Sequence, residues 1–496
     1  MTTHTDVLIV GAGLSGIGAA FHLQSQSPEC SYRILEGRKN IGGTWDLFRY
    51  PGIRSDSDMF TLGYGFKPWQ GGKVLADGPA IKSYVIETAK EEGIDQHIQF
   101  QHEVLSASWS TSEAIWTVTA TDKVSGQQRQ YSCNFLYLCA GYYSYKTAYT
   151  PDFVGLEDFK GPIIHPQYWP QDCDYSDKKV VIIGSGATAV TLVPVMAEKA
   201  SSVVMLQRSP TYMVNRPKYD GMGLFLSKFL SEKTVYAIVR WKNFRTQWLA
   251  YTSTRYMPSI LRYLLLRNAR NELPSGYDVT KHFTPHYNPW DERLCALPEN
   301  DLYRTIREGK AEVVTDHIDR FTEKGILLKS GEQLEADIIV TATGLQLVVN
   351  GEIEFTVDGK PVDFSDTFTY KGMMFSGVPN LINTFGYINS SWTLRADLIS
   401  EFVTRMVNRL KSSGMRQVTP RLRPEDKAMQ RRPFITGFNA GYIERFADHM
   451  PSQGDKAPWI NDQNYARDRK TIGRANLDDG VLVFDNPSTE LGGADK

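Results

Sequence analysis

The chain has 496 residues, with 55 basic and 56 acidic side chains and a formal net charge of -1. This balance removes the electrostatic argument for a nucleic-acid partner, and the length predicts two or three domains that each bury a sizeable core. Five scattered cysteines without a C-x-x-C pair favour a reducing cytoplasm over a disulfide framework or a thiolate metal site.

The sequence carries no signal for export or for membrane spanning. Its amino terminus, MTTHTDVLIV, leads directly into a predicted strand, so no signal peptide is expected. No run of about 20 uncharged apolar residues is present. We therefore expect a cytoplasmic protein.

A glycine-rich turn follows the first predicted strand. The apolar run at residues 6–10 ends in GAGLSG, and a helical pattern begins directly after it. Gly11 permits the sharp turn, Gly13 lets the backbone approach a pyrophosphate, and Gly16 lets helix and strand pack closely. The alternative is a glycine turn used for packing alone.

A second strand, at residues 32–35, ends in Glu36. An acidic residue about 20 positions after such glycines accepts hydrogen bonds from ribose hydroxyls. This arrangement favours an adenosine without a 2′-phosphate, as in FAD.

A loop with no helical or strand periodicity follows, IGGTWDLFRYPGIRSDSD at residues 41–58. It is rich in glycine, aromatic residues and arginine, which predicts an ordered loop. It could also be a surface loop whose Trp45 and Tyr50 cover the core while Arg49 and Arg54 are solvated.

A second glycine-rich turn, GSGATA, follows a run of valines and isoleucines and leads into a helix. Gly184, Gly186 and Ala189 take the three turn positions. The next strand, VVMLQR, ends in Arg208 rather than in an acid. An arginine there can pair with a 2′-phosphate, which favours NADPH, although it could also be an exposed charge at a strand end.

Residues 223–271 are predicted to be helical, and they carry nine basic residues against one acid, Glu232. Helices of this kind can lie on anionic membrane surfaces. Alternatively, the charged face is solvated while the apolar side covers a substrate pocket. Further on, His282 and His286 have metal-like spacing, but Pro285 interrupts the helix and no third ligand is evident, so no metal site is predicted.

The segment between the two turns carries the spacing F-x-G-x-x-x-H-x-x-x-W-P, on Phe159, Gly161, His165, Trp169 and Pro170. With GGxW, RYPG and Asp56 in the earlier loop and an A-T-G at residues 342–344, it resembles the fingerprints of type I Baeyer–Villiger monooxygenases of the flavin-containing monooxygenase superfamily. The resemblance covers roughly residues 5–445, and the chain is most similar to the shorter members that activate thioamide prodrugs.

This resemblance implies an α/β fold with two Rossmann-like dinucleotide-binding domains, for FAD and NADPH, and a helical insertion in the NADPH domain. The implied division is as follows: residues 1–150 and 336–450 form the FAD domain, 151–174 the linker, 175–335 the NADPH domain with an insertion at about 220–280, and 451–496 a loosely packed polar tail.

The resemblance also assigns roles to individual residues. In the family an arginine after an aromatic, proline-rich loop lies over the flavin, which implies Arg293, with Asp56 paired to it. His165 is expected to couple cofactor binding to domain movement. Glu292 stands where many relatives have a basic residue, which leaves a second cation for the cofactor phosphate in doubt. Flavin-side positions are implied for Gly43, Thr44, Trp45, Asp56, Thr343 and Gly344.

The implied chemistry is reduction of the flavin by NADPH, addition of dioxygen to give a C4a-peroxide, and oxygen transfer to a ketone or a sulfide. Three alternatives remain. These are a nitrogen- or sulfur-oxidising monooxygenase without Baeyer–Villiger activity, a non-oxygenating reductase, and a catalytically inert FAD-binding interaction protein. Peripheral contact with the inner face of a membrane, through the basic insertion, is a further alternative.

Overall fold

The computed structural model describes residues 3–70, 72–438 and 440–487. Its larger sheet places Thr3–Val10 between two parallel neighbours, so that the first glycine turn leaves from the middle of the sheet. In spatial order the strands are Lys360–Pro361, Glu354–Val357, His102–Ser110, Ile115–Asp122, Gln128–Leu138, Thr3–Val10, Tyr32–Glu36 and Ile98–Phe100, with Leu381–Asn383 also paired to Gln128–Leu138.

The second sheet is parallel throughout. Its strands in spatial order are Ala311–Thr315, Ser202–Gln207, Lys179–Ile183, Ile338–Thr341 and Ile163–Ile164. The central strand ends at the second glycine turn, as in the first sheet. Parallel strands bury both faces, which accounts for the valine and isoleucine runs in these segments.

Short strands complete the sheet structure. Met213–Arg216 pairs with Cys295–Pro298, Tyr143–Ala148 with Leu345–Leu347, Thr369–Tyr370 with Met374–Phe375, and Gln417–Pro420 with Leu482–Asp485, while Ile318–Thr322, Gly325–Leu328 and Gln333–Glu335 form a three-stranded antiparallel sheet.

The α-helices cover the sheets and build the insertion. They are Leu14–Gln26, Thr44–Leu47, Met59–Leu62, Gly78–Glu91, Ala187–Met196, Gly221–Leu226, Glu232–Tyr256, Pro258–Glu272, Val279–Phe283, Asp301–Arg307, Trp392–Ser413, Gly441–Glu444 and Tyr465–Asp468. Within the described residues, no helix combines the length and apolar composition needed to cross a bilayer.

The core of the first unit forms where helix Trp392–Ser413 packs against helix Leu14–Gln26. Ile399, Phe402 and Met406 recur every three to four residues and are fully buried, which is the stripe that an amphipathic helix presents to a core. The helix ends at Gly414, whose φ of 65° is the left-handed conformation that glycine adopts without strain.

Two buried polar contacts fix the helical insertion to the first unit. Arg240 donates from Nη1 to the carbonyl oxygens of Phe60 at 2.8 Å and Gly63 at 2.7 Å, satisfying the end of helix Met59–Leu62. Asp58 accepts a hydrogen bond of 3.0 Å from the side-chain amide of Asn243. The basic residues of the insertion are therefore not all solvated.

Two features differ from the sequence-based division. Ile338–Thr341, which we assigned to the returning FAD segment, pairs in parallel with Lys179–Ile183 in the second sheet, so the chain leaves that sheet only after residue 341. Ile163–Ile164, which we assigned to the linker, is the edge strand of the same sheet. The apolar run Ile338–Thr341 was correctly predicted to be a strand, but nothing in its sequence indicated that Lys179–Ile183 would be its neighbour in the sheet.

The prediction of a loosely packed tail is also wrong for the part of the tail that the structure describes, residues 451–487. Trp459 and Val481 are fully buried, and Leu482–Asp485 adds a strand beside Gln417–Pro420. The polar composition misled because buried polar groups here are satisfied by partners; the indole of Trp459, for example, donates to Asp426 at 3.0 Å. Residues 488–496 lie outside the described residues.

Candidate active site

A cavity of about 690 Å³ lies where the first sheet, the second unit and the helical insertion meet. The first glycine turn contributes Gly11 and Gly13, and the second contributes Thr188. Gln247, Leu261 and Leu265 close it from the insertion. The first turn and Thr188, in the first turn of the helix that follows the second glycine turn, therefore border one shared space.

The first turn has the geometry that its glycines predicted. Gly11 has a φ of 102°, and a Cβ there would lie 2.6 Å from the carbonyl oxygen of Cys139. A Cβ on Gly16 would lie 1.9 Å from the carbonyl oxygen of Gly11. Only glycine fits either position. Helix Leu14–Gln26 has no side-chain cap at Gly13, so its first backbone N–H groups are free of side-chain acceptors.

Glu36 lies at the end of its strand and borders the cavity. Its carboxylate oxygens accept from the backbone N–H of Ala12 at 2.7 Å and of Arg38 at 2.9 Å, which fixes the side chain against the turn. Burial raises the pKa of Glu36, and the two N–H bonds oppose that shift. Each oxygen retains a further lone pair that a ribose hydroxyl can use.

The predicted loop folds back onto the first turn. Gly43 has a φ of 55°, and a Cβ there would lie 3.1 Å from the Cα of Gly13. Thr44 and Trp45 follow in a short helix and border the cavity. Asp46 behind them is buried and accepts from Arg38 at 2.7 Å and Lys82 at 2.6 Å, which holds the loop in place.

Arg293 lines the cavity beside Tyr142, to whose hydroxyl its Nη2 donates at 3.3 Å. Its Nε is buried and has no hydrogen-bond partner among the described residues. The phenol of Tyr442 is the largest cause that raises the pKa of Arg293, and Asp56 adds to it. The guanidinium is thus a fixed positive charge with unused donor capacity.

Asp56 lies on the same cavity wall, and its interaction with Arg293 is electrostatic rather than a contact ion pair. Among the described residues no ion pair within 4.0 Å joins them, although Arg293 is the largest electrostatic influence on Asp56. Burial raises the pKa of Asp56, and Arg293, Arg54 and Arg216 oppose that shift. The carboxylate is therefore surrounded by three guanidinium groups without being neutralised by a single contact.

The second turn repeats the geometry of the first. Gly184 has a φ of 137°, and a Cβ there would lie 2.4 Å from the carbonyl oxygen of Ala342. A Cβ on Gly186 would meet nothing within 4 Å, so the space above this turn is open. Helix Ala187–Met196 lacks a side-chain cap, and Ala189 is buried inside it.

Arg208 is exposed at the end of strand Ser202–Gln207, outside the cavity wall, and forms no ion pair among the described residues. Glu292 is close enough for Arg208 to lower its pKa, but burial and Glu444 raise it more. A carboxylate therefore lies within electrostatic range of Arg208, at the chain position where many relatives have a second basic residue.

His165 connects the linker to the segment after strand Ile338–Thr341. Its Nδ1 accepts from the backbone N–H of Gln167 at 3.2 Å, and its Nε2 lies 3.2 Å from the carbonyl oxygen of Gly344. Nε2 therefore carries the proton. Thr343 donates to the carbonyl oxygen of Tyr149 at 2.8 Å. The residues that border the cavity do not include His165, Thr343 or Gly344.

Sequence reasoning missed several residues of the cavity wall. Tyr142 stacks on Trp392 with ring centroids 5.1 Å apart, and Trp392 donates to the hydroxyl of Ser15 at 2.7 Å. Arg54, which would be solvated only in the surface-loop alternative, forms a partly buried ion pair of 2.7 Å with Asp301. The arginine-rich loop at residues 41–58 gave a sequence signal for Arg54, but no motif indicated that Tyr142 or Trp392 would line the cavity.

The first glycine turn and the helix that follows the second one border the same cavity, and the buried Arg293 also lines it. This arrangement is that of a two-dinucleotide flavoprotein. A family profile described as flavin-binding monooxygenase-like matches residues 76–257, and one described as an NAD(P)-binding Rossmann-like domain matches residues 9–73. The predicted α/β fold with two Rossmann-like domains is confirmed.

Two curated relatives align with nearly the full length of the chain. FAD-containing monooxygenase EthA of Mycobacterium tuberculosis is 53% identical over 485 residues, covering 98% of each chain. Probable FAD-binding monooxygenase AlmA of Acinetobacter baylyi is 47% identical over 486 residues, covering 98% of this chain and 97% of its own. A steroid monooxygenase solved in its oxidised form bound to NADP shares the fold, with a TM-score of 0.79 at 22% identity, covering 98% of this chain and 100% of its own.

The chain belongs to the EthA-like family of flavin monooxygenases of the Baeyer–Villiger type. The predicted family and enzyme class are confirmed. The alternatives of a reductase and of an inert interaction protein are therefore set aside.

Proposed function

We propose that the enzyme binds FAD and NADPH in the shared cavity and uses dioxygen to convert ketones to esters or lactones and sulfides to S-oxides. The observation that carries this proposal is the position of Arg293. Arg293 lines the cavity that Gly11, Gly13 and Thr188 also border, and its buried Nε has no partner among the described residues.

The residues of the first turn fit FAD. Gly11 and Gly13 border the cavity, and the uncapped helix start behind them offers N–H donors to a pyrophosphate. Glu36 would accept from the ribose, while Gly43, Thr44, Trp45 and Asp56 would flank the flavin side. EthA and AlmA are named for the same cofactor, which supports this choice. Bound FAD, reduced by NADPH, supplies the chemistry that activates dioxygen.

The residues of the second turn fit NADPH. The open space at Gly186 and the uncapped helix Ala187–Met196 would receive its pyrophosphate, and Arg208 would pair with the 2′-phosphate. Thr188, in the same helix, borders the cavity. The steroid monooxygenase with the same fold was solved with NADP, which supports the assignment.

Arg293 would stabilise the negative charge that develops during oxygen transfer. A fixed donor in a site from which water is excluded needs no reorganisation when the charge forms, and that is where electrostatic stabilisation is largest. Asp56 would hold the guanidinium in place through the field it shares with Arg54 and Arg216 rather than through a hydrogen bond. His165 and Gly344 would transmit cofactor binding at the second turn to the linker.

The decisive test is product analysis with isotopically labelled dioxygen. The purified enzyme, loaded with FAD and supplied with NADPH, would receive cyclohexanone in one reaction and thioanisole in another. The proposal expects a lactone and a sulfoxide that each carry a single labelled oxygen atom, with NADPH consumed in proportion. A sulfoxide without any lactone, over a range of ketones, would instead indicate a sulfur- or nitrogen-oxidising monooxygenase.

The partners that this proposal implies are a small ketone or sulfide and dioxygen. Contact with a membrane, which the basic insertion left open as an alternative, would involve a different surface of the same helices.

A further inference from the structure

The outer side of the helical insertion exposes large apolar side chains. Phe225 and Phe229, at and just after helix Gly221–Leu226, are 60% and 71% exposed. Trp241 and Leu249 on helix Glu232–Tyr256 are 57% and 54% exposed. Outside residues 219–264, the described chain exposes few such side chains: Val124, Val154, Tyr168 and Met415.

The third helix of this region, Pro258–Glu272, continues the pattern. Ile260, Tyr263 and Leu264 are each about half exposed and have the spacing i, i+3, i+4, which places them on one face. We use the name outer apolar surface for seven of the exposed apolar side chains of this region, namely Phe225, Phe229, Trp241, Leu249, Ile260, Tyr263 and Leu264.

The inner sides of the same helices already have partners. Val235 and Val239 are buried against Phe60, and Leu261 and Leu265 line the cavity. The long helix also packs against both of its neighbours, so the three exposed stripes belong to one continuous layer. The outer apolar surface is therefore a second hydrophobic face, which folding of this chain leaves uncovered.

The segment that carries this surface also carries an excess of positive charge. Three of the nine basic residues at 223–271 are used internally: Arg240 caps a helix, Lys242 pairs with Asp220, and Arg255 pairs with Asp291. The other six form no ion pair among the described residues; they are Lys228, Lys233, Arg245, Arg262, Arg267 and Arg270. Arg245 lies over the ring of Trp241 at 4.8 Å, so charge and aromatic surface are interleaved.

We infer that the outer apolar surface docks on a bilayer that contains anionic lipids. Apolar and aromatic side chains would enter the boundary between headgroups and acyl chains, while the six basic residues pair with lipid phosphates. A second copy of the chain fits less well, because it would bring two excess-positive surfaces together. A membrane surface supplies both the apolar layer and the complementary charge.

The test is flotation of the full-length protein with lipid vesicles. We expect it to float with phosphatidylcholine vesicles that contain phosphatidylglycerol, to remain unbound with phosphatidylcholine alone, and to be released by high salt. A charge-reversal variant, Arg245→Glu with Arg267→Glu, should reduce binding more than about tenfold, since each basic residue near an anionic surface contributes measurably. The matched control reverses Lys329 and Lys360, which are exposed elsewhere.

The apolar contribution has its own variant, Ile260→Ser with Tyr263→Ser and Leu264→Ser. Its control replaces Val124 and Val154, exposed outside the surface, by serine. We expect the triple variant to lose vesicle binding while both controls retain it, with all variants keeping the wild-type melting temperature.

Three results would overturn the inference. Equal binding to neutral vesicles would remove the role of charge, and absence of binding to either kind would remove the membrane. A stable oligomer in sedimentation velocity that dissociates in the triple variant would show that a second copy covers the surface instead. Because oxygenation of thioanisole is measured separately in solution, failure of docking and failure of the proposed function are distinguishable.

Discussion

The Nε2 of His165 lies 3.2 Å from the carbonyl oxygen of Gly344, which joins the segment between the two sheets to the turn that follows strand Ile338–Thr341. With Nδ1 accepting from Gln167, the neutral ring uses both nitrogens. Protonation would remove the acceptor. The contact is therefore sensitive to pH as well as to mutation.

We predict that the stability of the folded chain depends on pH and that His165→Gln makes this dependence weaker. Burial lowers the pKa of His165 from its ordinary 6.5, so in the window below that value the unfolded chain binds the proton more readily than the folded one. Stability is full above the unfolded pKa and is lost as the pH falls. Melting temperatures between about pH 8 and about pH 5 should fall less steeply in the variant. An unchanged slope would mean that His165 does not titrate with unfolding.

Arg293→Ala should separate flavin reduction from oxygen transfer. Removing a fixed charge at a site of developing charge costs about 10²-fold or more in rate. Flavin reduction by NADPH in the absence of oxygen, followed by absorbance, should continue, while lactone formation falls by that factor. Arg293→Lys, which keeps the charge but not the geometry, should be intermediate. An alanine variant that still forms lactone at the wild-type rate would remove Arg293 from the mechanism.

Arg208→Ala should weaken NADPH and spare NADH. A hydrogen-bonded charge contributes about 1.5–3 kcal/mol, so the KM for NADPH should rise by about tenfold to a hundredfold. The companion change, Glu292→Gln, should lower that KM, since it removes a carboxylate that interacts with Arg208. Steady-state kinetics with both nucleotides measures the two effects. Equal losses for NADPH and NADH would show that Arg208 does not contact the 2′-phosphate.

Two aspartates in the same loop should respond in opposite ways. Asp58 accepts from Asn243 at 3.0 Å and from the hydroxyl of Thr61 at 2.6 Å, so Asp58→Ala leaves buried donors unpaired and should cost about 1–3 kcal/mol or more of stability. Asp56 accepts no such hydrogen bond, so Asp56→Ala should lower the melting temperature less than Asp58→Ala does and should lower oxygenation more. Calorimetry and product assays on this pair distinguish them. The reverse outcome would exchange their roles.

The parts of the fold that could be predicted from sequence are those with local causes. A glycine turn between a strand and a helix is specified within about 20 residues. The ion pair of Arg54 with Asp301 joins residues 247 positions apart, and the stack of Tyr142 on Trp392 is also a product of tertiary packing. Such contacts leave no periodicity in the chain. The strand Ile338–Thr341 was visible, but its place in a sheet depends on partners that pattern alone does not identify.

The described carboxyl-terminal segment shows the same limit in composition. A polar average predicted loose packing, yet Trp459 is fully buried, with its ring packed edge-on to Tyr370 at 6.1 Å and its indole hydrogen bonded to Asp426. Asp426 also accepts from Arg423 at 2.7 Å and lies near Lys456, and these contacts lower its pKa. One aromatic residue and its satisfied carboxylate thus anchor a segment whose average character is polar.

We therefore predict that Trp459→Ala destabilises the whole first unit. Truncating a buried tryptophan costs about 3–5 kcal/mol, and here it also removes one of the hydrogen bonds that Asp426 accepts. Trp459→Phe should retain most of the packing and lose chiefly the hydrogen bond, so its loss should be smaller. Urea unfolding followed by circular dichroism measures both, with Tyr168→Ala, an exposed aromatic truncation, as the control. Trp459 is the largest fully buried side chain of the described carboxyl-terminal segment. If Trp459→Ala unfolded at the same urea concentration as the wild type, the segment would therefore not contribute to the stability of the core.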